Sequence, residues 1–104
     1  MPTIIYKICE TALWREAERC GVFHGAPVDA RDGFIHFSTA GQVGETAARY
    51  FAGAGDLMLV AVDADALDAA LKWEASRGGD LFPHLYGVLP LGADGRHVFP
   101  ELAP

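Results

Sequence analysis

Basic residues are scarce in this chain of 104 amino acids. Eight lysines and arginines stand against fourteen aspartates and glutamates, which gives a formal charge of −6. Proteins that bind nucleic acid without sequence preference neutralise backbone phosphates with clustered lysine and arginine. The charge balance therefore argues against a duplex-binding surface and leaves open a pocket for one nucleotide.

Long apolar runs and cysteines are also scarce. No stretch approaches the roughly 20 apolar residues that span a bilayer, and the first residues lack the basic and apolar blocks of a signal peptide. Cys9 and Cys20 are the only cysteines, and neither belongs to a CxxC pair. We therefore expect a cytoplasmic protein without a membrane segment, with buried thiols rather than a disulfide.

The size and composition indicate one domain over residues 1–104. Hydrophobic residues make up 51% of the chain and charged residues 21%, as in an ordinary globular protein. A chain of this length can bury a single core, with little left for a second.

Hydrophobic periodicity predicts the order of the secondary structure elements. The first half of the chain predicts a strand at 3–9, a helix capped by Thr11 and ended by Gly21, a loop at 22–32 and a strand at 33–38. A helix follows Thr39, and its apolar residues are Val43, Ala47, Tyr50 and Phe51. The second half predicts a strand at 57–62, a short helix capped by Asp63 or Asp65 and carrying Leu67, Ala70, Leu71 and Trp73, a turn at 77–80, a strand at 82–89 and a last strand around 97–99. This order predicts an α+β fold with about three helices and small mixed or antiparallel sheets.

Two of these strands carry a specific expectation about their place in a sheet. The nearly unbroken apolar run at 57–62 predicts a central strand that is covered on both faces. Pro83 lacks a backbone donor, so we expect its strand to begin at a sheet edge or after the proline.

Two strands carry polar side chains with matching alternation. In the strand at 33–38, Phe34, His36 and Ser38 share one face. In the strand after Pro83, His84 and Tyr86 share a face. If the strands are neighbours about 5 Å apart, these side chains converge on one patch within reach of one ligand. The alternative is that both histidines are half-buried and bonded to backbone, with Tyr86 as a packing residue.

The helix after Ser38 has a predicted anion-binding start. Thr39 and Gln42 have the spacing of a capping box, and a helix N-terminus favours a phosphate beside Ser38 and Thr39. Tyr6 or Lys7 of the first strand could join the same patch.

Glu74 is an acid in an unusual setting, because it ends a predicted helix beside Trp73. A negative charge is unfavourable at a helix C-terminus, so Glu74 is a candidate acid of the site or a salt-bridge partner of Arg77. No metal site is predicted, since no two histidines stand at i, i+4 on a helix and no acid-rich motif accompanies them.

Several segments together resemble a bacterial family catalogued as domain of unknown function 952. They span nearly the whole chain and are IYKI, DGFIHFST, TAARYF, KWE and FPHLYG. The family suggests a distant kinship with the ADP-ribosyltransferase-like superfamily, whose members bind NAD or an ADP-ribosylated intermediate in a cleft between two small sheets. Those members carry one polar residue on each of three strands.

The resemblance implies three corresponding places in this chain. They are Tyr6 and Lys7, the segment 36–38, and the segment 84–86. The first-strand histidine or arginine usual in the superfamily appears here only as Tyr6 or Lys7. The late catalytic glutamate is absent from FPHLYG, unless Glu74 takes its place.

The leading hypothesis is thus an ADP-ribosyltransferase-like domain that binds NAD or an ADP-ribose-containing ligand. His36 and His84 would contact phosphate or ribose, with Tyr86 or Phe34 stacked on a ring, and transfer or cleavage at the ribose is the implied reaction. The alternative is a non-enzymatic ligand-binding or protein-interaction module. The distance between the two histidines separates these hypotheses, because side chains more than about 10 Å apart could not share a contact.

Overall fold

The computed structural model describes residues 3–50, 56–67, 70–75 and 79–91. In chain order the elements are β1 (Ile4–Glu10), α1 (Thr11–Cys20), β2 (Val22–Phe23), α2 (Pro27–Asp32), β3 (Ile35–His36), α3 (Val43–Tyr50), β4 (Leu57–Asp63), a 3-10 helix (Ala64–Ala66), β5 (Leu71–Ala75), β6 (Leu81–Leu85) and β7 (Leu89–Pro90). Every pairing between these strands is antiparallel. The predicted α+β class with antiparallel sheets is confirmed, while the predicted strand at 97–99 lies outside the described residues.

The described strands form three small sheets. One pairs β1 with β4, one pairs β2 with β7, and the third has the order β3-β6-β5. An isolated bridge links the first and third sheets, because the backbones of Tyr6 and Ser38 exchange hydrogen bonds of 2.7 and 2.8 Å. The chain therefore passes from β3 directly to the edge of β1.

Strands β1 and β4 are each seven residues long. They pair because β1 has alternating side chains with one apolar face, and β4 is almost entirely apolar. On β1 the side chains of Ile5, Lys7 and Cys9 share one face and are buried. Within the described residues β4 pairs with β1 alone, which differs from the predicted central position. Its apolar run reflects side chains buried on both faces, such as Val60 and Ala61, rather than hydrogen bonds along both edges.

Helices α1 and α3 lie where the sequence predicts helices, and Phe51 of the second predicted helix lies outside the described residues. Trp14 and Ala17 bury one face of α1, which ends at Gly21. Its N-cap residue is Glu10, one position before the predicted cap, and no side chain bonds there. Ahead of α3, the side chain of Gln42 accepts a hydrogen bond of 3.0 Å from the amide of Thr39, which supplies half of the predicted capping box.

The predicted loop at 22–32 is wrong, because the segment contains β2 and the short helix α2. Pro27 occupies the first turn of α2, where the missing amide costs no hydrogen bond and the fixed φ suits the helix. The Asp29 side chain accepts a 2.7 Å hydrogen bond from the amide of Ala26 and completes the helix start. A proline and an acid two residues later therefore begin a helix here.

The predicted third helix is also wrong over most of its length. Asp63 does cap a single 3-10 turn, by accepting from the amide of Asp65 at 3.0 Å. Leu71 and Trp73, however, lie on strand β5, which pairs with β6 over five residues. The segment has apolar residues three to four apart as well as two apart, so its spacing fits a helix face or a strand face, and the partner strand decides the outcome. Glu74 consequently lies on a strand.

Pro83 lies in the middle strand of its sheet, against the prediction of an edge or a later strand start. Its carbonyl accepts a hydrogen bond of 3.0 Å from the amide of Phe37, but the proline has no N–H to donate in return. The ladder between β3 and β6 therefore ends at His36, and the chain turns away to reach β1. The sheet accommodates the proline because β3 is so short.

Among the described residues, a cluster of buried side chains connects the elements. It draws on all three sheets and on α1, with members Ile5, Cys9, Trp14, Ala17, Phe23, Ile35, Phe37, Met58, Val60, Val62, Ala64, Leu67, Leu85 and Leu89. Cys9 and Cys20 are free; Cys9 is buried as expected, whereas Cys20 is exposed. Among the residues described, no helix is long and apolar enough to cross a membrane.

Candidate functional site

His36 and His84 lie directly opposite each other on β3 and β6. Their ring centroids are 5.5 Å apart, and the rings meet edge to face. Because the next pair along, Phe37 and Pro83, is a hydrogen-bonded position, the histidines occupy the non-hydrogen-bonded position, where side chains stand closer together. The convergence that the matching alternation predicts is therefore present.

The Phe34 ring covers both histidines from one side. Its centroid lies 4.1 Å from that of His84, in a stacked arrangement, and 4.6 Å from that of His36. Tyr86 adjoins the same ring at 5.2 Å. The four rings form one aromatic surface, in which His84 is buried and Tyr86 is exposed. We call His36, His84, Phe34, Tyr86 and Glu74 the two-histidine site.

The His36 ring lies between two carboxylates of α2. Its Nδ1 is 2.5 Å from Oδ1 of Asp29, and its Nε2 is 3.0 Å from Oδ2 of Asp32. The backbone amide of His36 points away from β6 and donates to the same Oδ1 of Asp29 at 3.1 Å. The ring can donate to both carboxylates only when both of its nitrogens carry a proton.

Asp29 is buried beneath His36 and is paired with Lys7 of β1. The Lys7 Nζ lies 2.9 Å from Oδ2 of Asp29, and both side chains are at most 5% exposed. Burial by itself would raise the pKa of Asp29, but the hydrogen bond from His36, together with the charge and hydrogen bond of Lys7, lowers that pKa to about 2. The pair is thus a neutral, buried unit with a fixed carboxylate.

His84 has a carboxylate partner of its own on the neighbouring strand. Its Nδ1 lies 2.8 Å from Oε1 of Glu74, and the Tyr86 hydroxyl donates to the same oxygen at 2.8 Å. These hydrogen bonds, from His84 first and then from Tyr86, lower the pKa of Glu74. The bond to Glu74 in turn raises the pKa of Tyr86. Glu74 is therefore part of the site, and Arg77, its alternative partner, lies outside the described residues.

Three of the candidate residues have their described contacts elsewhere. The Ser38 hydroxyl donates to Oγ1 of Thr46 at 3.3 Å and is buried, and the Thr39 amide is taken by Gln42. Tyr6 lies on the face of β1 opposite to Lys7, since strand side chains alternate. The structure thus brings Phe34, His36, Glu74, His84 and Tyr86 together and places Lys7 behind them.

The sequence interpretation missed Asp29, Asp32 and Lys72. Asp29 follows Pro27 by two residues, which is a helix-start signal that could have placed its carboxylate. Asp32 stands four residues before His36, but its contact depends on the turn between them. Lys72 is exposed and lies directly opposite His84 across β5 and β6. The pairing of Lys7 with Asp29 spans 22 residues and has no local signal.

Sequence comparison identifies the family to which the chain belongs. Residues 8–94 match the family model DUF952, described as a protein of unknown function. The match covers most of the chain, and the chain therefore belongs to this family. No curated protein matches the sequence.

Solved structures of one bacterial protein are similar over almost the whole chain. The crystal structure of CC0527 from Caulobacter crescentus has 49% sequence identity and a TM-score of 0.88, and the match covers 96% of this chain and 84% of that one. The solution NMR structure of CC0527 has 48% identity and a TM-score of 0.81, covering 95% and 82% of the two chains.

The geometry of the site is suited to proton transfer and to binding polar ligands. A carboxylate on Nδ1 fixes the orientation of each imidazole, as it does for histidines that act in acid–base chemistry. In the part of the chain that the structure describes, no group of three or more histidine, cysteine or acidic side chains is arranged to hold a metal ion. The chemistry that these residues themselves offer is that of two oriented imidazoles, a carboxylate and a phenol.

Proposed function

We propose that the two-histidine site binds NAD or another ADP-ribose-containing ligand. The observation that carries the proposal is the 5.5 Å separation of the His36 and His84 rings, each with a carboxylate on Nδ1. Two groups at this distance can contact one ligand, which is the condition that separates a shared site from two unrelated histidines. The kinship with ADP-ribosyltransferase-like proteins belongs to the same proposal and rests on the order of the polar strands.

The charges of the site support a phosphate-containing ligand. Lys72 places an exposed ammonium opposite His84, and Nε2 of His36 faces the surface, where it can donate to an anion. A diphosphate placed between these groups would gain charge-assisted hydrogen bonds. The carboxylate of Glu74 suits ribose hydroxyls, which can donate to it.

The aromatic surface supports a ligand with a flat ring. Tyr86 is 42% exposed, and the adjoining Phe34 ring is partly exposed. Base stacking on such rings contributes about 1–3 kcal/mol per base. An adenine or nicotinamide ring would therefore stack here, beside groups that take the phosphates and ribose.

The reaction class that fits this site is cleavage or transfer at the ribose. In hydrolysis of NAD, the bond from ribose C1′ to the nicotinamide nitrogen breaks, and the oxygen of a water molecule bonds to C1′. Nicotinamide leaves with the bonding electron pair, and the water's proton passes to a histidine and then to solvent. Glu74 would stabilise the positive charge that develops on the ribose.

Calorimetric titration with ADP-ribose and NAD tests the binding proposal. We expect His36→Ala to weaken binding at least about tenfold, because a hydrogen bond to a charged group contributes about 1.5–3 kcal/mol. His24→Ala is the matched control, since His24 is an exposed histidine of the loop before α2 and should bind as the wild type does. No heat at millimolar ligand, or equal affinity of the wild type and His36→Ala, would refute the proposal.

A further inference from the structure

The two carboxylates on His36 differ in how firmly they are held. Asp29 is buried and makes contacts with Lys7, the Ala26 amide and both the amide and ring of His36. The Asp32 side chain is 32% exposed, and its other partner is the exposed Arg31 at 3.0 Å. Asp29 is therefore a fixed part of the fold, whereas Asp32 can move without uncovering a buried group.

The two nitrogens of His36 differ in the same way. Nδ1 faces Asp29 in the interior, so no ligand can reach it without breaking the pair with Lys7. Nε2 faces Asp32 at the surface. A ligand anion that bonds to the His36 ring must therefore take the place that Asp32 occupies.

We propose that Asp32 is a built-in competitor for the ligand position on His36 and determines which anions the site accepts. A ligand oxygen replaces Oδ2 of Asp32 at Nε2, while Asp32 keeps its bond to Arg31. The inference deepens the proposed function and rests on it for the nucleotide, but not for the phosphate chemistry.

Asp32 is partly exposed and has Arg31 as a second partner, so it can be released from His36. It is the last residue of α2, and a negative charge is unfavourable at a helix C-terminus. The contact with His36 offsets that cost in the free protein. A phosphate with more than one negative charge can replace it, whereas a single carboxylate gains nothing over Asp32. The arrangement thus selects phosphate groups over carboxylate ligands.

Titration with inorganic phosphate tests the competitor role without any nucleotide. The readout is the nitrogen chemical shift of the His36 ring, followed by NMR in the wild type and in Asp32→Asn. We expect Asp32→Asn to bind phosphate about three- to fivefold more tightly, the range expected when an exposed charge pair no longer competes. Acetate should leave the nitrogen chemical shifts of the His36 ring unchanged in the wild type.

Two controls separate competition from charge and from folding. Glu18→Gln also removes one exposed carboxylate, from a surface pair with Arg15 on α1, and should bind phosphate as the wild type does. The double variant Lys7→Met with Asp29→Asn removes the fixed side of His36 without leaving a lone buried charge. It should bind phosphate more weakly, opposite in sign to Asp32→Asn.

The outcomes distinguish this inference from the proposed function. Equal or weaker phosphate binding in Asp32→Asn, or no response of His36 to phosphate in either protein, overturns the competitor role. Tighter phosphate binding in Asp32→Asn supports it, even if ADP-ribose fails to bind the wild type. In that case the nucleotide proposal alone is refuted.

Discussion

Asp29 connects the stability of the protein to its candidate site. Its carboxylate bonds to Lys7, to the Ala26 amide at the start of α2, and to both the backbone amide and the ring of His36. Removing one member of such a buried pair leaves an uncompensated charge, which typically costs 3–5 kcal/mol. A variant of Asp29 alone would therefore confuse lost binding with lost folding, and the neutral double variant avoids this.

The pH dependence of stability provides a test of Asp29. Its pKa is about 2 in the folded protein against an ordinary value of 3.8. A lowered folded pKa stabilises the protein above about pH 4, and that contribution disappears as the pH falls through 2. We expect this group to account for about 2 kcal/mol of the loss in unfolding free energy between pH 5 and pH 2.

Urea unfolding at a series of pH values measures this contribution. The double variant Lys7→Met with Asp29→Asn should lose about 2 kcal/mol less than the wild type over that range. Glu18→Gln should lose stability in parallel with the wild type. If the double variant and the wild type lost the same unfolding free energy between pH 5 and pH 2, Asp29 would not be the group responsible.

The residues of the site were predictable where they alternate along one strand. His36 and His84 follow from the strand pattern, because each stands on a polar face beside an aromatic neighbour. Asp29 and Lys7 were not predictable as a pair, since their contact depends on how α2 packs against β1. Sequence spacing carries no information about such a tertiary contact.

At the scale of elements, the turn between β2 and α2 holds Asp29 in place. Gly25 has a φ of +104°, and a Cβ added there would lie 2.8 Å from Cβ of Asp29 and 3.1 Å from its Oδ2. Only glycine lets the backbone pass this close to the carboxylate. The burial of Asp29 therefore depends on the close approach of this turn.

Gly25→Ala should destabilise the protein by about 2–3 kcal/mol, from backbone strain and the clash with Asp29. Gly33→Ala is the matched control, because its φ is +88° but no atom lies within 4 Å of an added Cβ. It should cost about 1 kcal/mol from strain alone. Thermal or urea unfolding compares them, and equal losses would show that the contact with Asp29 is unimportant.

The elements that the sequence predicts well are those with one strong local pattern. The alternation of β1, the apolar stripe of α1 and the apolar run of β4 each permit one interpretation. The segment that leads to Leu71 and Trp73 permits two, and pairing with β6 makes residues 71–75 a strand. The short helix α2 was missed because proline and several acids are also typical of a loop.

At the scale of the whole molecule, a core cluster connects the three sheets that the described residues form. Trp14 lies within it against Phe23, with ring centroids 5.3 Å apart, whereas Trp73 is 41% exposed. Strands from separate sheets that share one core should lose their order together. The expectation of a single domain, drawn from chain length, leads to the same behaviour.

We therefore expect a single cooperative unfolding transition. In a Trp73→Phe variant, fluorescence reports on Trp14 alone, and its urea midpoint should coincide with that of the far-UV circular dichroism. Two separate midpoints would mean that the sheets unfold independently and that the core is not shared.

The proline in β6 has a consequence for any mutational study of the site. Strand pairs can slip by one residue, which turns every side chain to the opposite face. Here Pro83, which has no N–H, ends the ladder with β3 after His36. The backbone itself therefore determines where the strand pairing ends. The alignment of the histidines therefore does not depend on their own side chains. Substituting either imidazole therefore leaves the pairing of β3 with β6 in the same register.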